Sequence, residues 1–415
     1  MERSLIDGRT PVRSAPLPGG YPGATAIDDE ELRAVREVLE RRSPFRYYGP
    51  QVAGNAEELE RAFAARLAVT HALGVSSGTA ALIVALRATG VGPGDEVILP
   101  PATFVGCANA VVAAGAVPVF ADVDDDLQIS PAGIAACITP RTRAIMVVHW
   151  RGLAVPLQPI LDVANAHGVP VIEDCAQSLG ARDDGFQVGA RGRINAFSFQ
   201  MNKVLTAGEG GMVATDDPDL AARAIALHDN GSARKGNGAI PETNELFGEN
   251  YRLTEVAAAI LRVQLGKLDR VRQRLQKVCG IIGTAVDDCA GVRQRRRAGS
   301  DADVGASAIL IFDTAELAGA AKEALAAEGV PLSTPYGGRP IYVRDVFQQR
   351  RLWHAGAGPW DPRTYGGDVS YAPGTCPIAE DLLARVGEYT LSLDWSDRDA
   401  HDVAAAVTRV MGRLG

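Results

Sequence analysis

The sequence predicts an α/β protein, with a mostly parallel sheet in a large domain and a smaller α+β domain towards the C-terminus. Five short β-rich runs alternate with alanine-rich helical stretches between residues 70 and 230, which is the pattern of parallel strands joined by helices. The runs begin near residues 96, 117, 143, 170 and 194. Because they are apolar throughout, we expect helices to cover the sheet on both faces.

Segments outside this region predict the domain organisation. Residues 253–278 carry apolar side chains at helical spacing, so we expect a long helix that links the two domains. The strand-like run at 305–313 and a final helix near 399–413 indicate the α+β domain, on which the amphipathic segment at 28–42 is expected to pack. We predict an N-terminal segment at residues 1–50 that packs on the small domain and the active-site entrance. The large domain is predicted at residues 51–278 and the small C-terminal domain at residues 279–415.

Composition excludes several classes of protein. The net charge of -8 argues against a nucleic-acid partner. The N-terminus lacks the apolar region of a signal peptide, and no stretch approaches the roughly 18 apolar residues of a membrane span. The six cysteines form no CxxC pair, so we expect reduced thiols, a cytoplasmic location and no metal site.

Loops that follow the strands hold the candidate chemistry, because ligands bind at the carboxyl ends of such strands. The turn at residues 76–79, Ser-Ser-Gly-Thr, leads into a helical stretch and offers backbone amides to a phosphate, although an ordinary helix cap has the same sequence. Asp174 ends an apolar run, where a carboxylate needs a charged or protonated partner or else caps the next helix. Lys203 lies beside a cluster of three glycines, Gly208, Gly210 and Gly211, which lets the backbone turn tightly beside a ligand.

Together these three features fit pyridoxal 5'-phosphate. Its aldehyde condenses with a lysine amine, its ring nitrogen needs an acidic partner, and its phosphate suits a helix N-terminus. We therefore predict this cofactor, with pyridoxamine 5'-phosphate as its aminated form. Lys203 would also act as the base that moves a proton, and burial near the positive cofactor would lower its pKa.

Four segments, at 75–124, 171–181, 197–211 and 249–265, resemble the DegT/DnrJ/EryC1/StrS aminotransferases. The resemblance is close over about residues 60–280 and looser elsewhere. It implies fold type I, the pyridoxal-phosphate transferase fold with a sheet of seven-stranded type. It also implies a homodimer with active sites at the subunit interface, and amino transfer to nucleotide sugars, cyclitols or related ketones.

The resemblance also implies residue roles. Lys203 is the catalytic lysine that binds the cofactor covalently, and Asp174 pairs with its ring nitrogen. Gln177 faces the ring hydroxyl, and Phe104 stacks on the ring, although a plain core phenylalanine fits its setting equally well. The phosphate contacts are the backbone amides of Gly78 and Thr79, the hydroxyl of Ser198, and Asn250 from the neighbouring subunit.

Ser198 gains support from its position in Phe-Ser-Phe, where alternation along a strand points it away from both rings. For the substrate, the candidates are Tyr48, Trp150, Arg151 and Tyr336, each of which also fits a structural role. Trp150 and Arg151 favour a narrower or anion-recognising pocket over one for a large nucleotide sugar.

The expected activity is a ping-pong aminotransferase reaction. Glutamate or glutamine would donate the amino group to a keto sugar, a keto-cyclitol or a similar ketone, in antibiotic or polysaccharide biosynthesis. One alternative is a 3-amino-5-hydroxybenzoate synthase-like activity, which retains the lysine. A dehydratase would replace the lysine with histidine, and a non-catalytic ligand-binding relative would not need the lysine, aspartate and phosphate site together.

Overall fold

The computed structural model describes residues 10–232, 246–295, 301–353 and 356–414. Up to residue 228 the described chain forms, in order, α1 (Asp29–Glu40), α2 (Asn55–Leu67), β1 (His71–Val75), α3 (Gly78–Ala88), β2 (Glu96–Leu99), α4 (Val105–Ala113), β3 (Val117–Phe120), α5 (Pro131–Cys137), β4 (Thr142–Val148), α6 (Leu157–Ala166), β5 (Val171–Asp174), β6 (Arg182–Asp183), β7 (Phe186–Gln187), β8 (Ile194–Ser198), β9 (Gly211–Thr215) and α7 (Pro218–His228). It continues with α8 (Glu255–Asp287), β10 (Val292–Gln294), β11 (Ser307–Phe312), α9 (Ala315–Ala327), α10 (Asp345–Gln348), α11 (Pro377–Ala384), β12 (Val386–Thr390) and α12 (Asp397–Leu414).

The central sheet has seven strands in the order β1-β9-β8-β5-β4-β2-β3. The pairs β2–β3, β2–β4, β4–β5 and β5–β8 are parallel, whereas β9 runs antiparallel to both of its neighbours, β1 and β8. The predicted mostly parallel, seven-stranded sheet is therefore confirmed.

Helices cover the sheet on both faces, which explains why its strands are apolar throughout. Along β4, Met146 and Val148 belong to the core that includes α3 and α4, while Ile145 and Val147 belong to the core that includes α5 and α6. Successive side chains of a strand point to opposite faces. Both faces of β4 are therefore buried, and its sequence does not alternate between apolar and polar residues.

The second sheet is small and antiparallel, in the order β10-β11-β12. Both α9 and α8 pack beside it, α12 packs on α9, and α8 also packs against α1, α2 and α12. The long helix begins after Thr254, whose side chain accepts a hydrogen bond from the Ala257 amide, and it ends at Asp287, beyond the predicted limit. The division at residues 278 and 279 falls inside this helix, and the domain boundaries stay predictions.

The N-terminal segment crosses from the small sheet's side to the large one. The Arg13 amide donates to the Glu328 carbonyl at 3.1 Å, and the Gly23 amide donates to the Lys203 carbonyl at 2.9 Å. Residues 1–9 of the predicted segment lie outside the described residues. Among the described helices, none combines the length and the apolar character that crossing a bilayer requires.

Candidate active site

A cavity of about 700 Å³ lies at the carboxyl ends of β5 and β8, between the central sheet, the small sheet and residues 20–22. This is where a mostly parallel α/β sheet binds its ligands. Nine of the twelve predicted site residues line it: Gly78, Thr79, Phe104, Arg151, Asp174, Gln177, Ser198, Lys203 and Tyr336. The fold thus brings together residues that are up to about 260 positions apart in the sequence.

The first turn of α3 lies directly beside Ser198 of β8 at the cavity. Ser77 caps the helix, and its hydroxyl accepts a hydrogen bond from the Ala80 amide at 3.0 Å. Helix geometry leaves the earlier amides, those of Gly78 and Thr79, without an intrahelical acceptor. A Cβ atom built on Gly78 would lie 2.6 Å from the Ser198 Cβ atom and 2.9 Å from its Oγ atom. Glycine is therefore required for this approach, and the result is an amide-lined recess suited to an anion.

Asp174 ends β5 and is almost completely buried. Its Oδ1 atom accepts a hydrogen bond from the Ala176 amide, and its Oδ2 atom accepts one from the Cys107 thiol, both at 3.0 Å. Burial, followed by the Asp174 charge, raises the pKa of the Cys107 thiol well above its usual value. The thiol therefore stays protonated and acts as a donor that orients the carboxylate.

Lys203 lies on the loop between β8 and β9. Within the part of the chain that the structure describes, its ammonium has no hydrogen bond and no salt bridge. Burial lowers the pKa of Lys203, the Asp174 carboxylate opposes this, and the Arg151 guanidinium reinforces it. A buried amine that is close to a carboxylate and yet unpaired is costly unless another group binds it.

Two aromatic side chains line the same cavity. Phe104 precedes α4 and leaves 56% of its surface exposed, so an apolar ring face is available for a flat ligand. The Tyr336 hydroxyl accepts a hydrogen bond from the Gln177 Nε2 atom at 3.4 Å. The Gln177 Oε1 atom in turn accepts a hydrogen bond from the Arg151 amide at 3.1 Å.

Trp150 and Arg151 lie in one short 3-10 turn, Trp150–Gly152, but face different surroundings. The Trp150 side chain is fully buried behind the cavity wall, where the Arg295 guanidinium lies 4.9 Å from its ring centroid. Arg151 lines the cavity and forms a salt bridge with Glu388 at 3.2 Å. The structure therefore brings Arg151 to the site and leaves Trp150 in the layer beneath it.

Tyr48 and Asn250 lie away from the cavity in the single chain. Tyr48 is 58% exposed. Asn250 is also exposed, and its backbone forms an isolated bridge with Asp229. Their predicted roles stay predictions, and both side chains are accessible to a second copy of the chain.

Sequence reasoning missed the wall that the small sheet contributes. Ser307, the first residue of β11, and Glu388 and Thr390 of β12 line the cavity. Glu388 is buried, although a carboxylate in a short strand ordinarily indicates a solvent-facing position. No local pattern distinguishes it. Cys107 was also missed, although it follows Phe104 by three residues in α4 and so lies one helical turn away.

A buried network supports the strand that ends in Asp174. The His149 Nδ1 atom accepts a hydrogen bond from the Val155 amide, so its Nε2 atom carries the proton donated to the Glu173 carboxylate at 2.9 Å. The same carboxylate accepts hydrogen bonds from three backbone amides, those of Gly189, Arg191 and Gly192. Cys175 lies close to this pair. The donors already satisfy Glu173 without an ion, so we interpret the cluster as a structural brace.

Comparison with known proteins identifies the family of this chain. The family model described as the DegT/DnrJ/EryC1/StrS aminotransferase family matches residues 25–408. The L-glutamine:2-deoxy-scyllo-inosose aminotransferase of Streptomyces kanamyceticus is 37% identical, over 99% of this chain and 97% of the relative. The UDP-N-acetyl-3-dehydro-alpha-D-glucosamine 3-aminotransferase of Acidithiobacillus ferrooxidans is 34% identical, over 93% of this chain and 95% of the relative.

A solved structure extends the comparison to the fold. The crystal structure of 3-amino-5-hydroxybenzoic acid synthase superposes with a TM-score of 0.81 at 29% identity, covering 98% of this chain and all of that one. The match extends across both sheets and is not confined to the motifs around Lys203. The chain therefore belongs to the DegT/DnrJ/EryC1/StrS aminotransferase family.

Proposed function

We propose that this chain is a pyridoxal 5'-phosphate-dependent aminotransferase that moves the amino group of L-glutamine to a cyclitol ketone of the 2-deoxy-scyllo-inosose type. The observation that carries the proposal is the unpaired Lys203 amine, which shares one cavity with the buried Asp174 carboxylate and the first turn of α3. Full-length relatives from three Streptomyces species, 33% to 37% identical, that carry this activity in their names support the choice of donor and acceptor.

The residues present fit this cofactor. The recess that a Cβ atom on Gly78 would fill suits the phosphate, with the Thr79 amide and the Ser198 hydroxyl as further donors. The half-exposed Phe104 ring suits stacking on a flat heterocycle. Asp174 is held by Cys107 and by a backbone amide, so its carboxylate could accept a hydrogen bond from the protonated ring nitrogen without reorientation. Gln177 would contact the ring hydroxyl.

When bound, the cofactor supplies an electron sink and a carrier for the amino group. Lys203 contributes an amine whose lowered pKa leaves more of it unprotonated, so that its Nζ atom can take a proton from the amine-bearing carbon and return it. The Asp174 carboxylate would lie opposite the ring nitrogen and favour its protonated form.

The cavity wall formed by the small sheet suits a ring with several hydroxyl groups. Ser307 and Thr390 offer hydroxyls and Glu388 offers a carboxylate to the same space. Such groups hydrogen-bond a polyol from several sides. This arrangement supports a cyclitol or keto sugar as acceptor.

We further propose a cytoplasmic homodimer with active sites at the subunit interface. Asn250 of one copy would then contact the cofactor phosphate bound by the other, and Tyr48 would lie at the entrance to that site. The exposure of both side chains supports this arrangement, as does Phe247, which is fully exposed and lies three residues before Asn250. A protein that sediments as a monomer and is fully active would overturn it.

The test is direct turnover. The purified protein, loaded with pyridoxal phosphate, is incubated with L-glutamine and 2-deoxy-scyllo-inosose, and the aminated cyclitol is identified by mass spectrometry. The Lys203→Ala protein is the matched control. If amine loss from glutamine occurs but no tested cyclitol ketone or keto sugar is aminated, the proposed acceptor class is wrong.

A second function has specific support. The superposition on 3-amino-5-hydroxybenzoic acid synthase covers nearly the whole chain, and an aromatising activity would also use Lys203. The mass and the ultraviolet spectrum of the product separate the two functions. Amination of a cyclitol ketone adds an amino group and gives no aromatic absorption, whereas aromatisation removes water and produces an ultraviolet band.

A further inference from the structure

A ping-pong aminotransferase presents one pocket to two chemically different substrates. The amino donor carries an α-carboxylate, whereas a cyclitol ketone is uncharged and carries several hydroxyls. A fixed guanidinium favours the first substrate and leaves an unpaired buried charge with the second, which is costly. The pocket therefore needs a partner for that guanidinium when the donor is absent.

Arg151 has a fixed backbone and an incompletely satisfied side chain. Its φ of 51° lies in the left-handed region, which non-glycine residues adopt rarely. The backbone is held on both sides, because its amide donates to Gln177 at 3.1 Å and its carbonyl accepts from the Arg295 guanidinium at 2.9 Å. Within the described residues, the buried Arg151 Nε atom has no hydrogen-bond partner. The contacts in the pocket therefore do not satisfy every donor of the guanidinium.

Glu388 is the partner that the pocket provides. Its Oε2 atom lies 3.2 Å from the Arg151 guanidinium, and its Oε1 atom accepts a hydrogen bond from the Ser307 hydroxyl at 2.8 Å. Both side chains line the cavity. The pairing crosses from the loop after β4 to the small sheet, so it is a contact between the two sides of the pocket.

We propose that Arg151 and Glu388 form an exchangeable ion pair that sets the specificity of this pocket for both substrates. With the donor bound, Arg151 leaves Glu388 and binds the α-carboxylate. With the uncharged acceptor bound, the pair forms again, and Glu388 accepts hydrogen bonds from the acceptor hydroxyls. This inference rests on the proposed function and adds to it the residues that recognise each substrate.

The experiment measures the two half-reactions separately on the holoenzyme, through the absorbance change between the pyridoxal and pyridoxamine forms. Arg151→Gln should raise the KM for L-glutamine roughly 10-fold or more, since it removes a charged hydrogen bond. Glu388→Gln should raise the KM for the cyclitol ketone roughly 10-fold and leave the KM for glutamine unchanged or lower, because Arg151 then lacks a competing carboxylate. A rise in KM that is confined to one of the two substrates distinguishes recognition from structural damage.

Binding of unreactive probes gives a readout that is independent of turnover. By calorimetry, glutarate should bind the wild-type holoenzyme and lose affinity in Arg151→Gln, whereas myo-inositol should lose affinity in Glu388→Gln. Asp381→Asn is the matched control, because it removes one carboxylate of an exposed ion pair with Arg385 in the same part of the chain. It should change neither KM.

Failure of this inference is distinguishable from failure of the proposed function. A wild-type protein that carries out neither half-reaction overturns both. If the wild-type protein carries out both half-reactions, equal rises in the two KM values for Glu388→Gln overturn the exchange. An unchanged KM for glutamine in Arg151→Gln also overturns it.

Discussion

Replacing Gly78 with alanine tests whether the first turn of α3 is fitted to a phosphate. The backbone permits the change, since Gly78 is not among the glycines with a positive φ, and alanine favours a helix by about 1 kcal/mol. The obstacle is contact. The new Cβ atom would lie 2.6 Å from the Ser198 Cβ atom, whereas ordinary contact begins at 3.4 Å.

The two elements must therefore separate by about 0.8 Å, the difference between these two distances. Rotation of the Ser198 side chain does not relieve the contact, because its Cβ atom is fixed to strand β8. Overpacking of this kind costs about 1–3 kcal/mol. The same shift would lengthen a 2.9 Å hydrogen bond from the α3 amides to roughly 3.7 Å, beyond the useful range. We expect cofactor binding to weaken roughly 10- to 100-fold.

The assay combines the dissociation constant of pyridoxal phosphate, by absorbance titration, with the free energy of unfolding of the apoprotein. Gly319→Ala is the matched control, because that helical glycine has open space around its Cβ position. This substitution should stabilise the protein and leave the dissociation constant of the cofactor unchanged. Adding Ser198→Gly to Gly78→Ala should recover most of the lost stability. Wild-type cofactor affinity and stability in Gly78→Ala would refute the reasoning.

Three further predictions concern single residues. Lys203→Ala should abolish turnover but retain noncovalent cofactor, with no adduct after borohydride reduction, and an active variant would contradict the assignment. Asp174→Asn should lower kcat roughly 10²- to 10³-fold by removing the charge opposite the ring nitrogen, and wild-type kcat would refute that role. Burial lowers the pKa of His228 from 6.5 to about 4, so the unfolded chain takes up this proton first as the pH falls. Between pH 6.5 and 4 the protein should lose up to about 3 kcal/mol of stability through this group. In His228→Gln, the free energy of unfolding measured with denaturant should fall less over the same pH range than in the wild-type protein, and an equal fall would contradict the assignment.

The central sheet was predictable because both-sided burial leaves a local signal. The strands that carry it, such as β4 and β5, need apolar residues on each face, and the helices between them have their own period. The antiparallel β9 and the short β10 and β12 lack such a signal. Their pairing depends on partners far away in the sequence, such as Ile309 opposite Glu388.

The sequence also determined how the residues that follow the parallel strands meet. Asp174 ends β5 and Ser198 ends β8, and these are adjacent parallel strands. Their carboxyl ends must lie side by side, so local motifs were enough to predict one site that also includes Lys203. The covalent order of strands and helices imposes this geometry before any packing detail is known.

Only the tertiary structure decided which side chains face the remaining half of the pocket. Glu388 lines the cavity from the small sheet, whereas Trp150 is buried in the core, where the Arg295 guanidinium lies over its ring. Neighbouring residues in one turn, Trp150 and Arg151, thereby acquire different surroundings. Long-range packing sets such orientations, and short-range sequence carries no record of it. The motifs were therefore sufficient to predict which residues after the strands share a cavity, whereas the small-sheet residues that line its other side became apparent only in the fold.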